Sequence, residues 1–379
     1  MKRYGNLWNK ICDIENLRYA HKKAREDKAF YKEVKMVNSN EDYYLNQIRD
    51  MLVNKTYKVT PEDYDVSIIK DRSKERELRK LTYYPHRIIQ WAVMLQLEPI
   101  FMKTFCDHTC ASIKFKGGNH VRKLIKGYLQ DKSVTYCLKI DIRKFYPNIN
   151  HETLKKLLRK KFKDKDLLEL LDMIVDSHPG GIGLPIGSYL SQFMANYYLC
   201  YFDHYMKEVA KAKMIIRYMD DIVVLGRSKE ELRDMLQYMR EYLEKDLQLS
   251  IKDNWAIFPI RKRGIDFVGY RYFGEYTLLR KSTCRQFKGK AVRILEKHNQ
   301  KKLVNYSEWC SMNSYTGWLT WCDSWRLFDK YLTPVIPALI KYYQIVIQRD
   351  KPEKVLRCRV RKYKRHLSKL HPPMALKAA

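Results

Sequence analysis

The chain contains 379 residues and carries a formal net charge of +31, which is extreme for a folded protein of this size. Its 45% of hydrophobic residues and many aromatics argue against disorder and are enough for a substantial core in roughly two to four subdomains. The charge predicts a polyanionic partner, because Lys and Arg side chains that neutralise phosphates supply much of the affinity of proteins for nucleic acids.

An anionic membrane surface is the other partner that such a charge would suit. The sequence has no run of about 18 uncharged apolar residues, and its first residues, MKRYGNLWNK, lack the apolar segment of a signal peptide. We therefore expect a cytoplasmic protein that makes no membrane contact. The nine cysteines are scattered and form no CxxC pair, which favours reduced, partly buried side chains. A zinc site at Cys106, His108 and Cys110 is an alternative.

The first third of the chain predicts helices around one hairpin. Residues 1–60 are polar and helical, and VSIIKDRSKERELRKLTYYP places two short strands around a charged turn at 71–75, which is typical of a basic hairpin. Residues 86–101 have the apolar spacing of a helix. The basic loop SIKFKGG, at 112–118, leads into the helix NHVRKLIKGYL.

The middle of the chain alternates strands with helices. In TYCLKIDIRKFYPNIN the apolar residues at 138, 140 and 142 face one way, and Lys139, Asp141 and Arg143 face the other. One or two helices, the glycine-rich turn HPGGIGLPIGS and a long helix from Ser191 follow. MIIRYMDDIVVLG predicts a strand, a turn and a strand, and KEELRDMLQYMREYLEKDL predicts an amphipathic helix.

The last third closes with short strands in GIDFVGYRYF and TLLRK and becomes helical from about residue 284. Residues 341–370 hold eleven Lys and Arg residues and two acidic ones. The order of elements predicts an α+β core with helical flanks.

Asp220 and Asp221 stand side by side in an apolar segment, IIRYMDDIVVLG, in which Arg217 is the only cation. An Asp-rich β-turn is one explanation, since turns tolerate aspartate. The other is a divalent metal site, because clustered carboxylates are tolerated where Mg²⁺ neutralises them. Phosphoryl transfer there needs a carboxylate from another strand, and Asp141 is the candidate. The occurrence of both segments in one very basic chain favours metal chemistry.

The segments KIDIRKFYPNIN, LPIGSYLSQFMANYYL, RYMDD and GIDFVGYRYF occur in the order of the palm motifs of reverse transcriptases. The chain resembles this family over residues 60–330. The resemblance implies an α+β right-hand polymerase with fingers, a palm with an antiparallel sheet and a helical thumb. The implied boundaries are an N-terminal helical region at 1–60, fingers at 61–130 and 151–190, a palm at 131–150 and 191–278, a thumb at 279–335 and a basic C-terminal extension at 336–379.

The family's catalytic residues map onto this sequence. Asp141 and Asp220 would hold two Mg²⁺ ions, which Mn²⁺ can replace, and Asp221 would complete the acidic cluster. Lys252 matches a lysine that protonates the leaving pyrophosphate. The implied metal ligands are Asp141, Ile142, Asp220 and Asp221.

Substrate contacts are implied in the same way. Tyr146 matches the position whose ring excludes a ribose 2′-hydroxyl, with a core aromatic as the alternative. Arg76 or Arg79 would grip the triphosphate, although each could be a solvated surface charge. Gly187 would let the backbone approach the incoming nucleotide. The implied nucleotide-binding residues are Arg76, Arg79, Phe145, Tyr146, Ile186, Gly187 and Gln192, and the implied primer and template contacts are Tyr218, Met219, Phe267, Gly269 and Tyr270.

The turn at 181–192 indicates a subtype. Intron-type enzymes carry Gln before the glycine and Ser-Pro after it, whereas this chain has Ile186 and Ser191-Gln192. With RYMDDIVVLG, RGIDFVGYR, LLRKS and SYTGWLTWCDSWRLF, this pattern resembles the reverse transcriptases of diversity-generating retroelements. That resemblance implies copying of a template RNA into cDNA from deoxynucleotides, with errors opposite adenines, and a small basic accessory protein or second subunit.

Three alternatives stay open. An antiphage-defence reverse transcriptase, which synthesises repetitive or untemplated DNA, is slightly favoured by the basic region after residue 331. An RNA-dependent RNA polymerase would use the same aspartates, although Tyr146 argues against it. A catalytically inert RNA-binding scaffold would need the charge but not the carboxylates.

Overall fold

The computed structural model describes residues 2–71 and 74–342, apart from the side chains of residues 70, 71, 74 and 76. The chain divides into two compact units, the first ending at Phe258 and the second beginning at Pro259. This boundary falls inside the range 191–278 that the sequence assigns to the palm. Arg72 and most of the basic segment at 341–370 lie outside the described residues.

Helices precede, separate and follow the strands of the first unit. They are α1 Trp8–Ile11, α2 Ile14–Ala24, α3 Lys32–Ser39, α4 Glu41–Val53, α5 Ile88–Thr104, α6 Gly118–Tyr128, α7 His151–Lys161, α8 Lys165–Asp176, α9 Tyr189–Tyr198, α10 Cys200–Glu208 and α11 Lys229–Lys245. The helical prediction for residues 1–60 is confirmed by α1 to α4, and α5 and α6 confirm the next two predicted helices. No helix in the described part of the chain is long and apolar enough to cross a membrane.

The single long helix predicted from Ser191 is wrong. The observed helix, α9, begins earlier, at Tyr189, where the Ser188 hydroxyl accepts a hydrogen bond from the Ser191 N–H at 3.4 Å. It also ends at Tyr198, and α10 starts separately at Cys200. The serine cap satisfies a helix N–H that has no partner within the helix, which explains the earlier start.

The strands of the first unit form one hairpin and one central sheet. They are β1 Tyr64–Asp71, β2 Lys74–Leu81, β3 Thr109–Cys110, β4 Tyr136–Asp141, β5 Ile215–Tyr218, β6 Asp221–Gly226 and β7 Ala256–Pro259, which ends at the unit boundary. β1 and β2 pair with each other as an antiparallel hairpin, as predicted. The central sheet has the order β3-β5-β6-β4-β7. Because β3 runs parallel to β5, the sheet is mixed rather than antiparallel throughout, which corrects the prediction.

The second unit contains a small sheet and more helices. Its strands β8 Ile265–Phe267, β9 Tyr270–Tyr272 and β10 Thr277–Leu279 confirm the short strands predicted there, and they form an antiparallel sheet. Its helices are α12 Ile260–Arg263, α13 Lys281–Asn299, α14 Tyr306–Leu319, α15 Trp325–Leu327 and α16 Ile336–Tyr342.

The central sheet is held from one side by α11. The apolar residues of this helix recur at helical spacing, and Leu232, Leu236, Met239 and Leu243 are all buried. They pack α11 against β4 and β6, whose own Leu138, Ile140 and Ile222 are buried. The amphipathic pattern in the sequence therefore fixes the orientation of both strands that carry the aspartates.

A buried ion pair fixes the hairpin formed by β5 and β6. Arg217 in β5 and Asp203 in α10 are both 0% exposed, and the guanidinium donates to the two carboxylate oxygens at 2.8 and 2.6 Å. It also donates to the Asn196 side-chain oxygen and to the Met219 carbonyl, each at 3.1 Å. Burial raises the pKa of Asp203, but the charge and hydrogen bonds of Arg217 outweigh burial and lower it. Met219 has a φ of +58°, so the ion pair holds a strained turn immediately before Asp220.

We predict that Asp203→Ala destabilises the protein by about 3–5 kcal/mol, because it leaves the buried Arg217 without a counter-ion. Urea denaturation measures this change in the free energy of unfolding. The matched control is Glu208→Ala, which removes an exposed ion pair with His204 on the same helix and should cost less than about 1 kcal/mol. Equal costs for the two variants would contradict a structural role for the buried pair.

Candidate active site

Three carboxylates meet at one edge of the central sheet. β4 ends at Asp141 and β6 begins at Asp221, and the antiparallel register places these two residues directly opposite each other. The Ile142 N–H donates to the Asp220 carbonyl at 3.1 Å, which joins the turn to the end of β4. The sequence therefore identified the third carboxylate of the cluster. The prediction that Asp220 and Asp221 both lie in the turn is only half right. The turn consists of Met219 and Asp220, whereas Asp221 is the first residue of β6.

Lysines neutralise two of these carboxylates. Lys139 in β4 lies 3.3 Å from Asp221, and Lys252 forms an ion pair with Asp141. Arg217, the only cation of the segment IIRYMDDIVVLG, does not pair with these aspartates, because its guanidinium is bound to Asp203 instead. The alternation in β4 already placed Lys139 on the same face as Asp141. Lys252 is brought to the site by its backbone, whose N–H donates to the Asp141 carbonyl at 2.9 Å.

Charge remains crowded at this edge in spite of the lysines. Burial raises the pKa of Asp221 to about 6, Lys139 opposes this rise, and the negative charges of Asp141 and Asp220 add to it. The Oδ1 atom of Asp221 is buried and accepts no hydrogen bond. A cation delivered to this edge would relieve the repulsion between the carboxylates.

The donor set fits a hard divalent cation in its chemistry, because Mg²⁺ prefers carboxylate and carbonyl oxygens. Ile142 is a fully buried apolar residue, so only its backbone carbonyl could contribute. Among the described residues, no three His, Cys, Asp or Glu side chains already converge on a point that could hold a metal. Cys106, His108 and Cys110, the residues of the zinc alternative, are buried in the fold.

A cavity of about 830 Å³ adjoins the carboxylates. Its lining includes six of the site residues predicted from the sequence: Arg79, Phe145, Tyr146, Ile186, Asp220 and Lys252. The Tyr146 hydroxyl lies 4.0 Å from the sulfur of Met219, in the turn that contains Asp220. Burial raises the pKa of Tyr146, so its phenol stays neutral at physiological pH.

His178 also lines this cavity, and sequence reasoning missed it. Burial lowers the pKa of His178, and the positive charge of Arg79 lowers it further. The ring also packs close to Gly183, where an added Cβ would lie 2.9 Å from the imidazole. No local pattern marks this histidine, because its position depends on how the glycine-rich turn folds back.

The β1–β2 hairpin forms one wall of the cavity by docking on the glycine-rich turn. The Arg79 N–H donates to the Ile186 carbonyl at 3.2 Å. Gly187 has a φ of +126°, and an added Cβ would lie 3.0 Å from Leu78. This close approach explains why glycine is needed there.

Arg79, Arg76 and Gln192, three of the predicted nucleotide contacts, differ in their placement. The Arg79 side chain forms an ion pair with Glu77, and the Arg76 side chain lies outside the described residues. Gln192 lies on α9, and it is not among the described residues that line the cavity.

The predicted primer contacts fall in both units. Tyr218 and Met219 flank the carboxylates, whereas Phe267, Gly269 and Tyr270 lie at the β8–β9 connection of the second unit. Within that unit Gly269 has a φ of +83° and packs against Trp318, which leaves no room for a Cβ. The rings of Tyr270 and Trp318 are 5.4 Å apart, so this half-buried tryptophan packs on the small sheet of its unit.

Comparison with known proteins gives one family. The reverse transcriptase (RNA-dependent DNA polymerase) family matches residues 69–272, which is more than half of the chain. Protein YkfC of Escherichia coli K12 is 23% identical over 254 residues, which cover 64% of this chain and 60% of that protein. The putative COX1/OXI3 intron 2 protein of Saccharomyces cerevisiae is 21% identical over 253 residues, which cover 48% of this chain and 29% of that protein. The chain thus spans less than two thirds of the length of either relative.

Solved structures of telomerase are among the structural matches. Apo telomerase from Candida tropicalis gives a TM-score of 0.46 at 11% identity, covering 85% of this chain and 65% of that one. Telomerase from Candida albicans with a telomeric RNA fragment gives 0.44 at 11% identity, covering 88% and 69%. The helices and mixed sheet of this chain agree with the predicted α+β class. The family match over residues 69–272, which includes all three aspartates, shows that the chain belongs to the reverse transcriptase family.

Proposed function

We propose that this chain is an RNA-directed DNA polymerase that extends a primer on an RNA template from deoxynucleoside triphosphates. The observation that carries the proposal is the junction of the carboxylate edge with the cavity of about 830 Å³, which shares Asp220 and Lys252 with that edge. Phosphoryl transfer depends mainly on positioning and on electrostatic stabilisation. A rigid sheet edge that carries carboxylates beside a nucleotide-sized cavity suits both requirements.

Enzymes of this family use divalent metal ions, and Asp141, Asp220 and Asp221 are the residues that would hold them. When bound, Mg²⁺ or Mn²⁺ supplies positive charge that stabilises the phosphates and activates the primer hydroxyl. Lys139 and Lys252 form ion pairs with Asp221 and Asp141 and hold these carboxylates in place before the ions arrive. Lys252 also borders the cavity, so its ammonium is the candidate acid for the departing pyrophosphate.

The other residues of the cavity would select the substrate. Arg79 contributes a guanidinium to the cavity and suits the triphosphate. Tyr146, partly buried beside the catalytic turn, would meet the sugar of the incoming nucleotide and exclude a 2′-hydroxyl. The net charge of +31 supplies the long-range attraction for template and product.

We predict that Asp220→Asn lowers the rate of primer extension by more than about 100-fold. Altering a group that only supports a metal ligand lowers activity by up to about 100-fold, and removing the charge of a ligand itself should lower it further. The assay is extension of a labelled DNA primer on an RNA template with Mg²⁺. Asp234→Asn, at an exposed position of α11, is the control and should extend normally. RNA binding should be the same for both variants. A wild-type protein that binds RNA but extends no primer would instead favour the inert scaffold.

We predict that Tyr146→Val raises incorporation of ribonucleotides relative to deoxynucleotides by at least about 10-fold, because removal of the ring opens space beside the sugar. Single-nucleotide incorporation with each substrate measures the ratio. Tyr238→Val, at an exposed position of α11, should leave it unchanged. An unchanged ratio in Tyr146→Val would assign this ring to the core. A wild-type preference for ribonucleotides would favour an RNA-dependent RNA polymerase.

For the biological setting we favour error-prone copying of a dedicated RNA, as in diversity-generating retroelements, with a small accessory protein as partner. Support comes from Ile186, which stands where intron-type enzymes carry glutamine and which borders the cavity. An apolar side chain there offers no hydrogen bond to the nascent base pair, so the geometry of the pair is checked less closely. The alternative is an antiphage-defence enzyme, supported by the basic composition of residues 341–370. Sequencing of the DNA product separates the two, since repetitive or untemplated product belongs to the defence enzyme.

We predict that Ile186→Gln lowers misincorporation opposite template adenines by roughly fivefold, the effect of one hydrogen bond worth about 1 kcal/mol. Deep sequencing of cDNA made on a defined RNA template gives the error spectrum. Ile182→Gln is the matched control, because this residue lines the same cavity from the same turn but does not precede Gly187. An error spectrum that is the same in both variants and in the wild type would contradict the role given to Ile186.

A further inference from the structure

The loop at 111–117, ASIKFKG, leaves β3 in an unusual conformation. Ala111, Ser112 and Phe115 have φ values of +78°, +53° and +67°. Residues other than glycine rarely adopt this conformation, and it costs free energy unless the surroundings impose it. Such strain tends to be retained where a site needs a fixed shape.

Hydrogen bonds impose this shape. The Asn196 side chain donates to the Ala111 carbonyl at 3.1 Å, and the Ala111 N–H donates to the Lys116 carbonyl at 3.2 Å. The Lys116 ammonium donates to the Cys106 carbonyl at 2.9 Å. Ile113 is buried and anchors the middle of the loop. The loop is therefore part of the folded framework, and it is tied to the Asn196 amide that Arg217 also holds.

This fixed loop holds an aromatic ring out in solvent. Phe115 is 87% exposed, more than any other large apolar side chain among the described residues. The Lys114 ammonium lies 5.3 Å from the centroid of its ring. Exposing a phenyl ring to water is unfavourable, and a strained backbone that maintains the exposure indicates a ligand for the ring.

The topology places this ring at the carboxylate edge of the sheet. β3 and β5 are parallel, with Cys110 opposite Tyr218. Parallel strands that end in register leave the sheet at the same edge, so the loop after Cys110 emerges beside the turn that contains Met219 and Asp220. The segment 112–126 has no acidic residue, and its basic residues are Lys114, Lys116, His120, Arg122, Lys123 and Lys126. Asp107, just before this segment, lies 3.3 Å from His120 and 3.6 Å from Lys116.

We propose that Phe115 is a stacking site for an unpaired base of the nucleic-acid strand at the carboxylate edge, with Lys114 beside the neighbouring phosphate. The inference rests on the proposed function and adds a contact outside the nucleotide cavity. A single ring between lysines suits a nucleotide, since bases stack on aromatic faces and phosphates attract ammonium groups. A protein partner would instead need several apolar side chains grouped in one patch.

The test measures binding without catalysis. Fluorescence anisotropy in EDTA compares full-length wild type with Phe115→Ala on labelled oligo(rA), oligo(dA) and a blunt duplex. Loss of one stacked base should weaken single-strand binding by about 5-fold to about 100-fold and leave duplex binding within twofold. Phe115→Trp should bind like wild type. A loss on RNA alone would assign the site to the template, a loss on DNA alone to the product strand, and equal losses to either strand.

Two further variants guard the interpretation. Phe115→Gly removes the ring and suits the positive φ, so it should lose binding while its melting temperature stays at or above that of the wild type. Tyr19→Ala is the matched control, because this exposed tyrosine also has a lysine 5.7 Å from its ring but lies on the regular helix α2. Unchanged single-strand binding in Phe115→Ala, or equal losses on the duplex, would overturn the proposal.

The outcome is separable from that of the proposed function. If the wild type extends no primer but Phe115→Ala loses single-strand binding, the polymerase function fails and the stacking site stands. If the wild type extends primers and Phe115→Ala binds normally, the polymerase function stands and the stacking site fails.

Discussion

The ion pair between Arg217 and Asp203 is the interaction on which the candidate site depends. Removing two charges from water carries a large penalty, and only close contact with full hydrogen bonding offsets it. Here the guanidinium donates to both Asp203 oxygens, to Asn196 and to the Met219 carbonyl, so its donors are used within the fold. Because one of those acceptors, the Met219 carbonyl, belongs to the turn that contains Asp220, the same pair that links α10 to the central sheet also fixes the backbone that carries Asp220.

The carboxylate edge follows from strand register once that turn is fixed. Asp141 and Asp221 face each other because β4 and β6 pair without a bulge between residues 136–141 and 221–226. The negative charges of these two carboxylates repel each other, and Lys139 and Lys252 serve as their counter-ions. A divalent cation would compete with these lysines for the same oxygens. The ion pairs therefore hold Asp141 and Asp221 in position without requiring that the ion be present during folding.

Backbone and side-chain hydrogen bonds together connect this edge to its surroundings. The hairpin docks through the Arg79 N–H on the Ile186 carbonyl, and Gly187 permits that approach because it carries no Cβ. On the other side of the β5–β6 hairpin, Asn196 connects the strained loop at 111–117 to Arg217. The elements that position the aspartates therefore also hold the wall of the cavity and the loop that carries Phe115.

The sequence by itself determined the elements whose signals are local. Alternation in TYCLKID gave β4 and the orientation of Asp141, the apolar runs around Asp220 gave the β5–β6 hairpin, and helical spacing gave α11. The tertiary structure alone decided the partners of the charged groups. Arg217 pairs with Asp203 rather than with the aspartates next to it in the chain. Lys252 pairs with Asp141, which lies 111 residues earlier in the sequence. It also decided that β3 joins the sheet in parallel. Periodicity reports which face of an element is buried, but charge pairing and strand order depend on which distant segments meet, and that depends on the packing of the whole unit.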